Sequence, residues 1–234
     1  MKCLVFPYHD PNGSGHGRLI KQMPNLKNMF DKIITTTGDS TYQQSIEVLE
    51  KSCDEMMIEP TATDLIEEIG RIRRKLLERA ADNDYIMYCD GDRVLYWSEN
   101  YPDELRNCVN NIHVSDFTIF GRTNRAWVSH LQTQHRKESI INELFKMKTG
   151  YNYDLLAAAR GMSSKAAKLI VENSDDDTFG VDVSWPLMMM NDDNMSVSFV
   201  RTDGLSFETG DVEQSIDEWI HRIRVVLTEL ESMK

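Results

Sequence analysis

Two aspartates separated by one glycine follow a short apolar segment near the middle of the chain. Residues 85–89 are rich in apolar and aromatic side chains, and Asp90 and Asp92 come directly after them. A run of this kind predicts a buried strand of a parallel sheet. Ligands of open α/β sheets collect at the carboxyl ends of strands, and Mg²⁺ and Mn²⁺ prefer carboxylate oxygens. We interpret the pair as a site for one of these ions, although Asp-Gly-Asp is also a common turn composition.

Strands and helices alternate in the part of the chain that leads to these carboxylates. Pro7 should end the first strand and Pro24 should break or kink the first helix, because proline lacks an N–H donor. Asp64 and Glu67 are spaced as in a capping box at the start of the third helix. Repeated alternation predicts a parallel sheet with right-handed crossovers and helices on both faces. The predicted strands are 3–6, 33–37, 56–58 and 85–89, and the predicted helices are 18–30, 41–52 and 64–80.

The second half of the chain continues the α/β pattern with less regular spacing. We predict strands at 117–120 and 196–200, a strand-like segment at 127–129, and helices that begin near Pro102, Arg136 and Ser163. A closing helix should follow Asp211 and Gln214, which are spaced to cap it. No linker or internal repeat interrupts the pattern, so we expect residues 1–234 to form one domain.

Composition restricts the partners and the compartment. The chain has 234 residues, 41% of them hydrophobic and 27% charged, as in a soluble globular protein. Its net charge of −12 argues against nucleic acid as a partner, which requires a basic surface. No apolar run approaches the roughly 20 residues of a membrane span, and no signal-peptide pattern is present. The 4 cysteines are scattered, which favours a reducing compartment and hence the cytoplasm.

The order of three motifs indicates a family. Asp90-Gly91-Asp92 closes a predicted central strand, the segment 153–163 carries Asp154 and Arg160, and the segment 179–186 carries Asp182. In this order they resemble the GT-A glycosyltransferases of the nucleotide-diphospho-sugar transferase superfamily, in particular their family 2 branch. The resemblance implies a Rossmann-like GT-A fold, with a mostly parallel central sheet and helices on both faces. It also implies that Asp90 and Asp92 hold Mg²⁺ or Mn²⁺ against a nucleotide-diphospho-sugar donor.

The resemblance assigns donor-binding roles to the ends of the first two strands. Pro7 and Tyr8 occupy the place where the family cradles the nucleotide base, and Tyr8 either stacks on the base or packs at the sheet edge. Family 2 members usually carry Asp-Asp-Gly-Ser after the second strand. The segment 37–41 contains only a displaced version of it, so Asp39 is the candidate contact to the base or the ribose.

Acceptor-side roles follow from the same resemblance. Arg122, at the end of the fifth predicted strand, and Asp154 are assigned to substrate binding, and Arg160 is assigned to the catalytic group. Asp182 is either the base that takes the proton of the acceptor hydroxyl or the N-cap of the helix that follows it. The third metal ligand of GT-A enzymes is often a histidine in the C-terminal part of the chain. Of the candidates His113, His130, His135 and His221 we select His130, because it follows the strand-like segment 127–129.

The function implied is metal-dependent transfer of a sugar to an acceptor hydroxyl of a small molecule, a lipid phosphate or a glycan. A nucleotidyltransferase that releases pyrophosphate is an alternative. In that case the glycine-rich loop 13–18 would hold a triphosphate on backbone N–H groups, although the loop can equally be a mobile surface segment. A second alternative is a binding protein that retains the fold without catalysis.

Overall fold

A computed structural model describes residues 1–207 and 215–234 of the protein. The strands are β1 (Lys2–Tyr8), β2 (Lys32–Gly38), β3 (Glu55–Glu59), β4 (Tyr85–Cys89), β5 (Phe117–Arg122), β6 (Ala159–Ser163) and β7 (Val197–Thr202). The helices are α1 (His16–Lys27), α2 (Gln43–Ser52), α3 (Leu65–Ala80), α4 (Gly91–Asn100), α5 (Pro102–Asn110), α6 (Asn124–Val128), α7 (Gln132–Thr149), α8 (Ser164–Asn173), α9 (Val181–Met190) and α10 (Ile216–Glu231). The alternation predicted for the first half of the chain is confirmed.

The strands form one 7-stranded sheet in the order β3-β2-β1-β4-β6-β5-β7. Strand β6 runs antiparallel to both of its neighbours, and the other pairings are parallel. The prediction of a mostly parallel sheet is therefore confirmed. The chain moves outward from β1 to β3 and then returns to place β4 on the other side of β1. Such a reversal of strand order marks the place where open α/β sheets bind ligands.

Helices cover both faces of the sheet, as predicted. Successive residues of β1 point to opposite faces, so that Cys3 and Val5 join one apolar cluster while Leu4 and Phe6 join the other. The first cluster also contains buried residues of α3, α8 and α9, and the second contains those of α1, α4 and α5. No helix among the described residues is long and apolar enough to cross a membrane. The single-domain organisation of residues 1–234 stays a prediction.

Helix α3 brings the chain to the start of β4. Asp64 caps the helix by accepting a hydrogen bond from the N–H of Ile66 at 3.1 Å, which confirms the predicted cap. The buried face of the helix consists of Ile66, Ile69, Gly70, Arg73, Leu76, Leu77 and Ala80. Arg73 is thus a cation in the middle of an apolar stripe. Its side chain reaches Asp90, which follows β4 and provides a partner for the charge.

The two prolines do not end their elements where the sequence predicts. Strand β1 continues through Pro7 to Tyr8, because it stays paired with β2 over that length. Its pairing with β4 extends only to Val5. The Pro7 carbonyl faces Gly91, beyond the end of β4, so that the missing N–H of Pro7 removes no bond from that ladder. Pro24 lies inside α1, which continues to Lys27, so the predicted break does not occur.

The structure also contains one strand that the sequence does not predict, contradicts one predicted segment, and does not describe one predicted pair of caps. The sequence does not predict β6, because Ala-Arg-Gly-Met-Ser lacks the β-branched and aromatic residues that favour strands. The strand-like interpretation of residues 127–129 is wrong, since α6 lies there and Thr123 caps it. The predicted caps Asp211 and Gln214 lie outside the described residues, and the side chain of Ser215 caps α10 by accepting from the N–H of Glu218.

Gly91 lets the start of α4 approach the end of β1 closely. A Cβ atom at this position would lie 2.6 Å from the carbonyl oxygen of Pro7, a backbone atom that cannot rotate away. The glycine stands between Asp90 and Asp92, so this contact sets how the two carboxylates lie relative to β1. The close approach requires the residue without a side chain.

We expect Gly91→Ala to lower the free energy of unfolding by about 1–3 kcal/mol, the usual cost of overpacking. Gly17→Ala is the matched control, because a Cβ there meets no atom within 4 Å. That change in α1 should leave stability unchanged or raise it by up to about 1 kcal/mol. Urea unfolding of both variants measures the difference. Equal stability of Gly91→Ala and the parent would show that the contact with Pro7 is not a constraint.

Candidate active site

A cleft of about 590 Å³ lies at the carboxyl ends of β1, β2, β3 and β4. Of the predicted site residues, Pro7, Tyr8, Asp90 and Asp92 line it. Other residues of its wall include Asp10, Gly15, Arg18, Gly38, Thr61 and Phe179. The remaining predicted residues are described in the structure but do not line the cleft: Asp39, Arg122, His130, Asp154, Arg160 and Asp182. The cleft thus joins the predicted donor residues except Asp39, and none of the predicted acceptor-side residues lines it.

Asp90 and Asp92 differ in how firmly they are held. Asp90 accepts hydrogen bonds from Arg73 Nη2, at 3.3 and 3.4 Å to its two oxygens, and from the hydroxyl of Tyr88. Burial raises its pKa, which the guanidinium of Arg73 partly counteracts. Asp92 lies in the first turn of α4 with 66% of its side chain exposed, and Arg93 Nε is 3.8 Å away. One carboxylate is therefore anchored from behind, while the other extends from the rim.

Asp10 organises the glycine-rich loop that leads into α1. Its carboxylate accepts hydrogen bonds from the N–H groups of Ser14 and Gly15, at 3.0 and 2.8 Å, and from the Tyr8 hydroxyl at 3.1 Å. Burial raises the pKa of Asp10, but these hydrogen bonds outweigh burial and lower the pKa below its usual value. A carboxylate of the protein itself therefore occupies the anion position at the N-terminus of α1.

Asp39 contacts the cleft through its neighbours. Its Oδ1 atom accepts hydrogen bonds from the N–H and the hydroxyl of Thr61, at 2.9 and 2.8 Å. Both Thr61 and Gly38 line the cleft. These hydrogen bonds lower the pKa of Asp39, so that the carboxylate stays ionised while it fixes the loop that follows β3.

A buried network of charges connects the cleft to α9. Arg73 is 1% exposed, and its Nη1 atom lies 3.0 Å from Oδ2 of Asp182 while Nη2 reaches Asp90. Arg160 also contacts Asp182, at 3.5 Å to Oδ1 and 3.2 Å to the carbonyl oxygen. Asp182 is the second residue of α9 and does not cap it through its side chain. The proton-accepting role of Asp182 and the catalytic role of Arg160 stay predictions, and both side chains face inward.

A second buried cluster lies at the carboxyl end of β5. Arg122 donates to both oxygens of Asp154, at 2.7 and 2.8 Å, and to Glu138. Its guanidinium also lies over the ring of Trp127, 4.5 Å from the centroid. Burial lowers the pKa of Arg122, but the two carboxylates outweigh burial and raise it. The two side chains bind each other in the structure. The substrate-binding roles of Arg122 and Asp154 stay predictions.

His130 does not join Asp90 and Asp92, so the prediction of His130 as the third metal ligand is wrong. Within residues 1–207 and 215–234, no group of three or more His, Cys, Asp or Glu side chains can hold a metal ion. The His130 ring stacks on Phe207 with centroids 5.5 Å apart, and Nε2 lies 3.0 Å from the carbonyl oxygen of Leu205. Because a carbonyl only accepts, Nε2 must carry the proton. The histidine is a buried neutral group rather than a ligand.

Three residues of the site escape prediction from the sequence. Arg73 carries a signal, because it occupies an apolar-stripe position of α3, where a charged side chain requires a buried partner. Asp10 carries a weaker signal, because it opens a loop rich in Gly, Pro and Asn, and aspartates in turns accept from nearby backbone N–H groups. Nothing in the local pattern distinguishes Tyr88 from a core tyrosine, although its hydroxyl donates to Asp90.

The protein is similar in fold to glucosyl-3-phosphoglycerate synthase of Mycobacterium tuberculosis. One crystal structure of that enzyme has a TM-score of 0.64 at 12% identity, over 99% of this chain and 80% of that chain. Its complex with Mn²⁺, uridine diphosphate and phosphoglyceric acid has a TM-score of 0.66 at 13% identity, over 100% and 78%. Its complex with Mn²⁺, UDP-glucose and phosphoglyceric acid has a TM-score of 0.62 at 12% identity, over 100% and 79%.

The likeness to these structures confirms the predicted α/β fold of the GT-A type. No protein-family model matches the chain, and no curated protein matches its sequence. Identities of 12% and 13% establish the fold alone.

Burial of His130 makes the stability of the protein depend on pH. Burial, Arg122 and Arg93 lower the pKa of His130 from 6.5 to about 3. The unfolded chain takes up the proton as the pH falls through about 6.5, whereas the folded protein does so only near pH 3. The stabilising contribution is therefore full above pH 6.5 and is lost toward pH 3, at about 1.4 kcal/mol per pH unit.

We expect His130→Gln to lose less stability than the parent between pH 6.5 and about 4.5, because its amide donates to Leu205 without titrating. Chemical denaturation at a series of pH values measures the two slopes. Parallel slopes for the two proteins would contradict a buried neutral histidine.

Proposed function

We propose that the protein is a metal-dependent glycosyltransferase, which binds a nucleotide-diphospho-sugar in the cleft and moves the sugar to an acceptor hydroxyl. The observation that carries the proposal is the position of Asp90 and Asp92 at the end of β4, where the strand order reverses. The fold aligns over 99–100% of the chain with an enzyme that has been crystallised with UDP-glucose and Mn²⁺. The donor cleft and the carboxylate pair are the parts that such a reaction requires.

We propose Mg²⁺ or Mn²⁺ as the cofactor and Asp90-Gly91-Asp92 as an Asp-X-Asp motif. The donor set fits, because both side chains offer hard oxygen ligands at the cleft. Arg73 and Tyr88 contact Asp90 from behind and leave 29% of its side chain exposed. Two protein ligands leave coordination positions for diphosphate oxygens and water. When bound, the ion stabilises the negative charge of the leaving diphosphate.

We propose that the nucleoside of the donor lies along Pro7 and Tyr8. Tyr8 lines the cleft while 6% exposed, and Asp10 fixes its hydroxyl, so a base or a ribose would meet a side chain that is already held rigidly. Asp39 acts on the donor chiefly through Thr61, whose loop it holds against the cleft. The identities of the base and of the sugar stay open.

The proposed acceptor-side residues Asp182 and Arg160 do not line the cleft. Transfer with inversion requires a group that takes the proton of the acceptor hydroxyl. Asp182 remains the candidate, although its oxygens face Arg73 and Arg160 and would have to turn toward the cleft. We propose that Arg160 orders the preceding loop through the carbonyls of Leu155 and Ala159. A small molecule, a lipid phosphate and a glycan are the acceptor classes that remain.

The structure weighs against the nucleotidyltransferase alternative. In that reaction the loop 13–18 would hold a triphosphate on its N–H groups. The N–H groups of Ser14 and Gly15 instead donate to Asp10, which would repel a phosphate at the same place. A binding protein without catalysis stays as the second alternative. For location we propose the cytoplasm, which suits four free cysteines.

Loss of one carboxylate should weaken the metal-dependent binding of the nucleotide. We expect Asp92→Asn to weaken Mn²⁺-dependent binding of UDP at least tenfold, since even indirect partners of a metal site contribute about 10–100-fold. Asp103→Asn is the matched control, because Asp103 is an exposed aspartate in the first turn of α5. Calorimetric titration of UDP with and without Mn²⁺ measures the effect. Metal-independent binding by the parent would contradict the proposal.

The reaction class is tested by the bond that breaks. With Mn²⁺ and UDP-glucose, we expect slow release of UDP and free sugar, because water replaces the missing acceptor. Asp90→Asn should abolish this release, since it weakens a ligand of the ion. Coupled assays for UDP and for pyrophosphate distinguish the two classes. Pyrophosphate from a nucleoside triphosphate and a sugar phosphate would support the nucleotidyltransferase, and tight UDP-glucose binding without turnover would support the binding protein.

A further inference from the structure

The guanidinium of Arg73 lies between the carboxylate at the cleft and the carboxylate behind it. Nη1 is 3.0 Å from Oδ2 of Asp182, and Nη2 is 3.3 Å from Oδ2 of Asp90. Asp90 follows β4 and Asp182 is in α9, so one side chain of α3 connects two distant parts of the chain. Among the ion pairs of the described residues, this is the one that links Asp90 to Asp182.

We propose that Arg73 is a positioning residue, which holds Asp90 and Asp182 at a fixed separation before any substrate binds. The inference rests on the proposed function only for the roles of the two carboxylates. The bridge itself is a statement about the protein without ligands. Arg73 does not line the cleft, so it would act on a donor or an ion through the two carboxylates.

Two aromatic rings next to Arg73 limit the orientations of its guanidinium. The group lies over the ring of Tyr88 at 5.2 Å and over the ring of Phe179 at 5.6 Å. Tyr88 also donates to Asp90, and Phe179 lines the cleft, which Arg73 does not. A planar guanidinium between two rings can offer its two Nη atoms in only a few directions. The carboxylates that bind these atoms are therefore held in place as well.

A purely structural role does not explain an arginine at this position. The neighbouring positions of the α3 stripe are apolar and pack without polar partners. An aliphatic side chain would fill the stripe without the desolvation cost of a buried ion, and apolar replacements of buried ion pairs are often neutral or stabilising. The geometry gives the arginine a different use, because its fork reaches two carboxylates at once, which a lysine ammonium reaches less well.

The contact with Arg73 sets the orientation of the Asp90 carboxylate toward the cleft. Arg73 and Tyr88 contact the carboxylate of Asp90 from behind, and the exposed 29% of its side chain remains available to a cation. Asp92 has no comparable anchor, because most of its side chain is exposed on the first turn of α4. Asp90 is thus the preorganised ligand of the pair, and Arg73 is the reason.

The first experiment tests the bridge without any ligand. Protein labelled with ¹⁵N-arginine shows the guanidinium signals of arginines that are held and protected from solvent. We expect the Arg73 signal to shift in both Asp90→Asn and Asp182→Asn. Asp177→Asn is the matched control, because Asp177 pairs with the adjacent Arg74. A signal that responds to only one of the two carboxylates overturns the proposal.

The second experiment tests the consequence for the site. Arg73→Lys keeps the charge and loses the fork, and we expect it to weaken Mn²⁺-dependent binding of UDP about 10–100-fold. Arg74→Lys, the same change one residue along α3, should leave that binding unchanged. Both titrations are made below the melting temperatures of the variants. If Arg73→Lys is merely less stable and binds Mn²⁺ and UDP like the parent, Arg73 is structural and the proposal fails.

Failure of the proposed function has a different signature from failure of the bridge. If the parent itself shows no metal-dependent binding of UDP, the assignment of the donor site is wrong. The arginine spectra then decide the bridge alone, because they require neither metal nor nucleotide. A signal that responds to both carboxylates confirms the bridge, and one that does not overturns it.

Discussion

The structure depends on the rule that a buried charge needs a buried partner. Among residues 1–207 and 215–234, three arginines are at most 2% exposed, Arg73, Arg122 and Arg160, and each contacts at least one carboxylate. The carboxylates come from other elements than the arginines, so each pair connects two parts of the fold. The same rule connects α7 to α10, where Lys137 Nζ lies 2.8 Å from a carboxylate oxygen of Glu229. Ion pairs thus determine how the elements meet behind the cleft.

The cleft itself follows a different principle, the reversal of strand order between β1 and β4. Parallel strands on both sides of the reversal direct their carboxyl ends to the same edge. Pro7, Tyr8 and Asp90 meet there although more than 80 residues separate the first two from the third. Asp10 makes the two sides of this edge differ in charge preference. It fills the anion position at the N-terminus of α1, so the Asp90 side of the cleft is the one left for a cation and its phosphates. A donor site for a diphosphate held through a metal is consistent with that division.

Much of the framework could be predicted from local patterns. The alternation of strand and helix, the cap at Asp64 and the carboxylate pair after β4 all depend on residues close together in sequence, where spacing reports directly on the backbone. Strand β6 could not be predicted in this way. Its residues have little preference for a strand, and it forms because β4 and β5 offer their edges on both sides. Pro7 stays in β1 for a similar reason, since the ladder with β4 has already ended.

The sequence by itself determined which residue types are available at the candidate site and near which strand ends they occur. Only the tertiary structure decided which of them meet. It placed Asp90 and Asp92 in the cleft with Tyr8, turned Asp182 toward Arg73, and put His130 against Leu205. Side-chain partners depend on packing between elements distant in sequence, and a motif carries no information about that packing. For the same reason the sequence shows Arg73 as a cation in the apolar stripe of α3 but does not identify its partners, which meet it only once α3, β4 and α9 are packed together.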